Sequence, residues 1–281
     1  AVGWAGLKSY REKNADKKVY IKGTDFNIGM MENGLINAYT PGIALTWMNA
    51  YSDGFPVTPR YGSPVEVNAL WYNAVCFALE LASEAKDKAF IKEWGELPEH
   101  IAASFISTFW SEEKGYLGDC CFQGTCDWTI RPNQVIAAAL YYSPLSKEMK
   151  KSVLSLAKKD LLTPRGLRTL SPENERYMGS YEGNEQQREE AIHQGSIFPW
   201  LIGFFIEGYL KIHKRGGLAF TKTIMEGFEE EMTQHCIGTI SEVYNGNPPH
   251  TGKGSVSQAW NIGEILRAYH LIDTYESENQ N

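Results

Sequence analysis

The sequence predicts an all-α fold with long structured loops and little strand. Hydrophobic residues recur with helical spacing in several segments, and no segment of comparable length alternates with a period of two. The connections 23–62, 111–131 and 161–190 are far longer than the usual loop of about 4–6 residues. They contain Gly, Pro, Arg, Asp and aromatic residues instead of linker sequence, which is typical of loops that build a binding site.

Each helix is predicted from its apolar stripe, and one also from its start. At Ser63-Pro64-Val65-Glu66, Ser63 is placed to cap a helix, Pro64 to take its first position and Glu66 to complete a capping box. The most regular stripe spans residues 197–212. The predicted helices are 2–11, 64–86, 89–110, 132–142, 146–159, 197–212, 218–236 and 262–272. No linker-like stretch divides the chain, so residues 1–281 are expected to form a single domain.

Composition and charge exclude several classes of partner. The 281 residues are 43% hydrophobic, as in a globular protein, and the formal charge of -7 argues against nucleic acid as a partner. No apolar run approaches the roughly 18 residues that cross a bilayer, so no membrane partner is expected. The 8 Trp, 15 Tyr and 12 Phe exceed what a core of this size requires, which indicates aromatic rings in a site.

The cysteines and the remaining motifs predict neither a metal nor a cofactor. Cys120, Cys121 and Cys126 cluster without a nearby His, so buried thiols in a reducing cytoplasm are expected instead of a zinc site. The chain has no Gly-rich phosphate loop, no G-x-S-x-G and no His pair at metal spacing. The long loops instead combine carboxylates, arginines and tryptophans, which suit the hydroxyl rims and apolar faces of sugars. Glycoside hydrolysis requires little beyond two carboxyl groups.

Several distinctive motifs follow one another along the chain, among them Thr46-Trp47-Met48-Asn49, Thr58-Pro59-Arg60-Tyr61-Gly62, His193-Gln194-Gly195 and Gln258-Ala259-Trp260. In this order they resemble the amylo-α-1,6-glucosidase domain of bacterial-type glycogen debranching enzymes. The complete set lies at residues 45–50, 58–73, 131–134, 166–170, 177–183, 193–200 and 242–260. The resemblance implies an (α/α)6 toroid related to glucoamylase, with a pocket built from long loops. The predicted helices are too few to close that ring, so the toroid is expected to be incomplete at its N-terminal side and the chain to be the C-terminal part of a longer protein.

The resemblance also implies an inverting mechanism with two carboxyl groups. Glu242 occupies the position of the base. Asn49 stands where the family has the acidic Asp, and loss of a general acid typically costs on the order of 10²–10⁴ in rate. Three interpretations remain open: an Asp-to-Asn change that leaves sugar binding intact, a replacement acid at Asp53, or a different alignment of this loop. Asn245 likewise stands where the family commonly has Asp.

The remaining candidate site residues come from the same motifs. Glu66 could equally be a helix cap, Arg168 could pair with a carboxylate to hold a loop, and His193 could be a core residue. The tryptophans could also belong to the core, and Phe198 stands where the family commonly has Trp. The predicted substrate-binding residues are Trp47, Arg60, Glu66, Trp71, Asp127, Arg131, Asn133, Arg168, His193, Trp200, His250, Gln258 and Trp260.

The function implied is the removal of α-1,6-linked glucose stubs from glycogen or limit dextrin in the cytoplasm, with maltooligosaccharide as a further ligand. Because Asn49 cannot donate a proton, a catalytically weak α-glucan-binding module is an alternative. A glucoamylase-type α-1,4 exo-hydrolase is the other alternative. A sugar epimerase is disfavoured, since it would require a pair of catalytic histidines and the His residues are scattered.

Overall fold

The computed structural model describes residues 23–235 and 237–277. The predicted helix 2–11 and Cys236 lie outside this part of the chain. The described residues are largely helical. Their α-helices are α1 (Val65–Glu84), α2 (Lys88–Trp94), α3 (Leu97–Phe109), α4 (Gln134–Ala139), α5 (Lys147–Asp160), α6 (Glu185–Ile192), α7 (Leu201–His213), α8 (Leu218–Gln234) and α9 (Ala259–Ser277).

The helices follow the predicted stripes, with three corrections. The predicted helix 89–110 is interrupted between Trp94 and Leu97. Helix α6 lies inside 161–190, which was predicted as a loop; it begins with a capping box in which the side chains of Asn184 and Gln187 each accept the other residue's main-chain N–H at 2.9 Å. The predicted capping box at Ser63 was wrong, because Glu66 is engaged with Arg60 instead.

Short antiparallel strands connect the helices and were missed, because two to five residues are too few to show alternation. The prediction of little strand therefore understated how many short strands the described residues contain. The strands are β1 (Gly29–Met30), β2 (Ile36–Asn37), β3 (Tyr51–Ser52), β4 (Phe55–Pro56), β5 (Ser63–Pro64), β6 (Trp110–Ser111), β7 (Tyr116–Leu117), β8 (Cys120–Phe122), β9 (Thr125–Asp127), β10 (Leu162–Thr163), β11 (Gly166–Arg168), β12 (Ile197–Phe198), β13 (Ser241–Tyr244) and β14 (Gly252–Val256). Strands β10 to β14 form one five-stranded sheet in chain order, and β5, β8 and β9 form a smaller one; the remaining strands pair as β1–β2, β3–β4 and β6–β7.

The core is organised around the short helix α4, whose six residues are all buried. Helix α4 packs against α1, α5 and α7, and α7 also packs against α9. Trp71 of α1 belongs to this core: it is 6% exposed, its Nε1 donates to the carbonyl of Gly34 at 3.1 Å, and its ring meets that of Trp94. Trp71 also borders a cavity of about 380 Å³, and its binding of sugar stays a prediction.

The cysteines also differ from prediction. Cys121 and Cys126 lie directly opposite each other on β8 and β9 and form a disulfide, so the prediction of thiols was wrong for this pair. Cys76 and Cys120 are free. Among the described residues, no group of three or more His, Cys, Asp or Glu is arranged to hold a metal ion. No helix in the same part of the chain is long and apolar enough to span a membrane.

The contact between residue 62 and β8 tests this fold. Gly62 has φ +105° and exchanges two hydrogen bonds with Ala38; an added Cβ would collide with the carbonyl of Cys121 and lie 2.8 Å from the Cβ of Phe122. We expect Gly62→Ala to lower the free energy of unfolding by about 2–4 kcal/mol, measured by urea denaturation. The control is Gly42→Ala, where φ is also positive but nothing lies within 4 Å of the new Cβ; an equal loss in both variants would contradict the predicted clash.

Candidate active site

A buried ion-pair network forms the base of the candidate site. The guanidinium of Arg60 donates from Nε to Asp119 Oδ2 at 2.6 Å and from Nη2 to Glu66 Oε2 at 2.6 Å, and Nη1 contacts the other Glu66 oxygen. All three side chains are at most 4% exposed. Burial alone would lower the pKa of Arg60, but the carboxylates of Asp119 and Glu66 raise it above its usual value. The guanidinium therefore stays charged and holds three separate segments together.

This network extends to Trp47 through one amide. Asn133 donates from Nδ2 to Asp119 Oδ1 at 2.7 Å, and its Oδ1 accepts the indole N–H of Trp47 at 2.8 Å. The carboxylate of Asp119 can only accept hydrogen bonds, so the NH2 group of Asn133 must face it. The amide oxygen of Asn133 then points to the indole N–H of Trp47 and accepts it. Asp119 was not predicted from the sequence. The signal that could have indicated Asp119 is Arg60, because a buried guanidinium requires carboxylate partners and Glu66 supplies only one.

Four aromatic rings meet at Trp47. Its ring lies edge-to-face on Trp200 at 5.1 Å, on His193 at 5.2 Å and on Phe198 at 5.5 Å between centroids. Trp47 and Trp200 are half-buried, whereas His193 and Phe198 are buried behind them. Edge-to-face contacts fix ring orientation. The two half-buried tryptophans are thus the rings in this group that keep some exposed surface.

His193 is a neutral, buried member of this group. Burial, and then the positive charges of Arg131 and Arg60, lower the pKa of His193 to about 3. Its ring stacks on Phe198 at 5.7 Å, and its Nδ1 finds no hydrogen-bond partner in the described residues. The side chain supports Trp47 from behind, as in the core interpretation of this residue, and does not carry charge near neutral pH.

Arg131 joins three loops from inside. Its Nη1 donates to the carbonyls of Thr169 at 3.1 Å and His193 at 2.7 Å, and its Nη2 donates to Gln194 Oε1 at 3.0 Å. Arg131 is 1% exposed and Asn133 is fully buried. Arg131 and Asn133 therefore act as internal supports, although the buried Nε of Arg131 finds no partner among the described residues. Their binding of sugar hydroxyls stays a prediction.

Glu242 of β13 is held by three donors. Its Oε2 accepts the main-chain N–H and the hydroxyl of Ser255, both at 2.9 Å, and its Oε1 accepts Gln258 Nε2 at 2.7 Å. Every partner donates, so the group is held as an acceptor. An added Cβ at Gly254, which borders an open cavity of about 340 Å³, would lie 2.7 Å from Glu242 Oε2, so glycine leaves room beside the carboxylate.

One buried amide connects Glu242 to the aromatic group. Asn261 donates from Nδ2 to the carbonyl of Glu242 at 2.8 Å, and its Oδ1 accepts the main-chain N–H of Trp200 at 3.2 Å. Asn261 is fully buried, so this link is shielded from water. Trp200 in turn contacts Trp47. The strand that carries Glu242 is therefore linked to Trp200, and the loop that carries residue 49 contains Trp47, which Trp200 contacts.

Asn49 is exposed, and its neighbours are anchored. Met48 is fully buried, with its Sδ 3.9 Å from Arg131 Nη1 and 3.8 Å from Asn133 Nδ2, and Trp47 is held as described. Asp53 lies in a hairpin turn. With φ +51° and Gly54 following at φ +80°, it forms the two-residue turn between β3 and β4, the position where Asp-Gly is favoured in hairpins.

Three other predicted residues have main-chain partners. Arg168 donates from Nε to the carbonyl of Gly246 at 2.9 Å, so the carboxylate partner expected for it is corrected to a main-chain oxygen. The Nδ1 of His250 contacts the carbonyl of Asn245 at 3.0 Å. Asp127 is exposed and accepts the N–H of Thr129 at 2.9 Å, a local turn contact.

Trp260 is an exposed ring, whereas Trp47 and Trp200 are half-buried. It is 53% exposed on the first turn of α9, two residues after Gln258.

A family model and a known protein match most of this chain. Residues 10–267 match the family model described as amylo-alpha-1,6-glucosidase. The glycogen debranching enzyme of Saccharomyces cerevisiae is 25% identical over 339 aligned positions, which cover 98% of this chain and 22% of that protein. The chain therefore spans about a fifth of the length of this relative.

Solved structures share the fold at low identity. The neutral trehalase of Saccharomyces cerevisiae superposes with a TM-score of 0.56 at 14% identity, covering 80% of this chain and 40% of the trehalase. The GH63 mannosylglycerate hydrolase of Thermus thermophilus, solved in complex with glucose, gives 0.53 at 14% identity over 75% of this chain and 45% of that one.

The Arg60 network predicts a large penalty for removing one carboxylate. Asp119→Asn leaves Arg60 with Glu66 as its remaining carboxylate, so we expect the free energy of unfolding to fall by about 3 kcal/mol in urea denaturation. Asp127→Asn is the matched control on the neighbouring strand, because it is exposed and an amide oxygen can still accept the N–H of Thr129; we expect a change within about 0.5 kcal/mol. Equal effects of the two variants would contradict the role of Asp119.

The low pKa of His193 predicts a pH effect on stability. The pKa is about 3 in the folded state and near 6.5 in the unfolded chain, so the unfolded chain binds more protons between these values. Stability contributed by the neutral ring is present above pH 6.5 and is lost as pH falls, by up to about 1.4 kcal/mol per unit. In His193→Gln, the free energy of unfolding should decline less steeply between pH 6 and pH 4 than in the wild type. Parallel declines would show that this histidine is not the source.

Proposed function

The chain belongs to the amylo-α-1,6-glucosidase family, and from that premise we propose that it acts on single α-1,6-linked glucose residues of glycogen or limit dextrin. The family consists of glycoside hydrolases, which cleave the bond between two sugars. We also propose that residues 1–281 form one domain, part of an (α/α)6 toroid, and that the protein works in the cytoplasm. Maltooligosaccharide is the corresponding small ligand.

The observation that carries the proposal is the fixed carboxylate of Glu242, whose main chain is linked to that of Trp200. Three donors from Ser255 and Gln258 orient its carboxylate, and Asn261 ties its main chain to Trp200. In an inverting glycosidase, an ionised carboxylate removes a proton from the attacking water on the face opposite the leaving group. We propose that Glu242 is this base and that Trp47 and Trp200 stack against the glucose ring.

The proposed reaction lacks a carboxyl group at the position of the acid, where this chain has Asn49. In an inverting enzyme a protonated carboxyl group, about 6.5–9.5 Å from the base, donates to the leaving oxygen. An amide at Asn49 has no proton of suitable acidity to give, which corresponds to a loss on the order of 10²–10⁴ in rate. We propose that the chain binds α-glucan ends and hydrolyses them slowly. The alternative of a glucan-binding module differs only in having no measurable turnover.

Restoring the acid tests the proposal. We expect Asn49→Asp to raise glucose release from a glucosyl-branched dextrin by roughly 10²-fold or more, because a carboxyl group then faces the leaving oxygen. Glu242→Gln in the Asn49→Asp background should abolish the gain, since the base is lost. No gain from Asn49→Asp would contradict the assignment of residue 49.

Three further measurements separate the alternatives. Asp53→Asn in the Asn49→Asp background should keep most of the gained rate, because residue 49 then supplies the acid, whereas loss of residual wild-type activity in Asp53→Asn would identify Asp53 as the acid. Comparison of branched dextrin with linear maltoheptaose distinguishes the debranching reaction from glucoamylase-type α-1,4 hydrolysis. Calorimetric binding of maltooligosaccharide, with no turnover even in Asn49→Asp, would favour the binding module.

A further inference from the structure

An open groove lies between the β3–β4 hairpin and helix α6. Its volume is about 380 Å³, within the range of roughly 300–1,000 Å³ that small-molecule sites occupy. The hairpin contributes Tyr51, Ser52 and Asp53, and the first turns of α6 contribute Gln186 and Glu189. None of the interactions described for Glu242 or the tryptophan pair uses these side chains.

The groove is lined by groups that pair with hydroxyls. Gln186 Nε2 contacts Ser52 Oγ at 3.2 Å, Asp53 Oδ2 at 3.1 Å and Glu190 Oε1 at 3.3 Å, and the hydroxyl of Ser52 donates to Glu190 Oε1 at 2.7 Å. These contacts hold the hairpin against α6, where Asp53 is exposed and Glu189 and Glu190 are partly exposed. A neutral polyhydroxylated ligand suits this lining, whereas an anionic ligand would meet repulsion from Asp53, Glu189 and Glu190.

An exposed aromatic ring stands beside the polar lining. Phe55 is 70% exposed and lies directly opposite Ser52 in the hairpin, so both side chains emerge on the same face of the two strands. Tyr51 is 38% exposed, and its hydroxyl accepts the N–H of Ala44 at 2.7 Å, which fixes its position. An apolar ring next to an amide, a hydroxyl and carboxylates matches the two kinds of surface that a sugar presents.

The position of the groove relative to residue 49 indicates which sugar it would take. Asn49 and Tyr51 are two residues apart, so their Cα atoms are separated by at most about 7 Å. The acid of a glycosidase donates to the leaving oxygen, and this side of the site therefore receives the leaving group. In the removal of a glucose branch, the leaving group is the chain that carried the branch.

We propose that the groove between the β3–β4 hairpin and α6 binds the α-1,4-linked glucan chain from which the glucose branch is removed, with Phe55 as its stacking platform. This inference rests on the proposed function, since it assigns the leaving-group side of that same site. It separates the recognition of the glucose stub at Trp47 and Trp200 from the recognition of the chain that bears it.

Calorimetry with two ligands tests the groove without requiring turnover. The first ligand is maltoheptaose carrying one α-1,6-linked glucose, and the second is isomaltose, which offers only one glucose on the leaving side. We expect Phe55→Ala to weaken binding of the branched octasaccharide by about threefold to tenfold, the size of one aromatic contact, and to leave isomaltose within about twofold. Gln186→Ala should act in the same direction.

A matched control and the contrary outcomes complete the test. Tyr141→Ala removes another exposed ring, 77% accessible and outside the groove, and should leave both affinities unchanged. If the wild type binds both ligands and Phe55→Ala binds them equally well, the groove inference is wrong and the proposed function stands. Equal weakening of both ligands would also overturn the inference, since it would place Phe55 at the glucose stub. Failure of the wild type to bind either ligand would overturn the proposed function itself.

Discussion

The buried guanidinium of Arg60 is the constraint on which the site depends. A charge removed from water is tolerated only with well-placed partners, and here Glu66 comes from the first turn of α1 while Asp119 precedes β8. The carbonyl of Asp119 also accepts the N–H of Val65, which satisfies a free amide at the start of α1. One ion-pair group therefore sets the relative position of a loop, a helix and a hairpin.

The two proposed catalytic positions depend on separate polar networks that meet at one aromatic contact. On one side, Asp119 orients Asn133, which orients Trp47 and so the residues that follow it. On the other side, Asn261 joins Glu242 to Trp200. Buried hydrogen-bonded groups have few alternative arrangements, so each network holds its tryptophan in one orientation. The contact between Trp47 and Trp200 therefore sets the distance between the two proposed catalytic positions.

Sequence reasoning succeeded where the signal was local and repeated. Long helices such as α1 and α7 carry apolar stripes, whereas α6 is polar on most sides and was missed although Asn184 and Gln187 form a capping box. Glu66 shows the opposite error: the local capping pattern was present, but an ion pair with Arg60 outcompeted it. Asp119 and Asn261 were not predicted, because their roles arise from partners far away along the chain.

Asn49 separates the binding of sugar from the chemistry performed on it. Trp47 and Met48 are held by Asn133, Arg131 and the aromatic group, and none of these contacts requires a carboxylate at the next residue. An amide at this position removes a proton donor but keeps nearly the same shape, so the surface proposed to receive a glucan end is built independently of the acid. The proposed function therefore treats rate and affinity as distinct properties, and it predicts a low rate with intact affinity for a chain with Asn at residue 49.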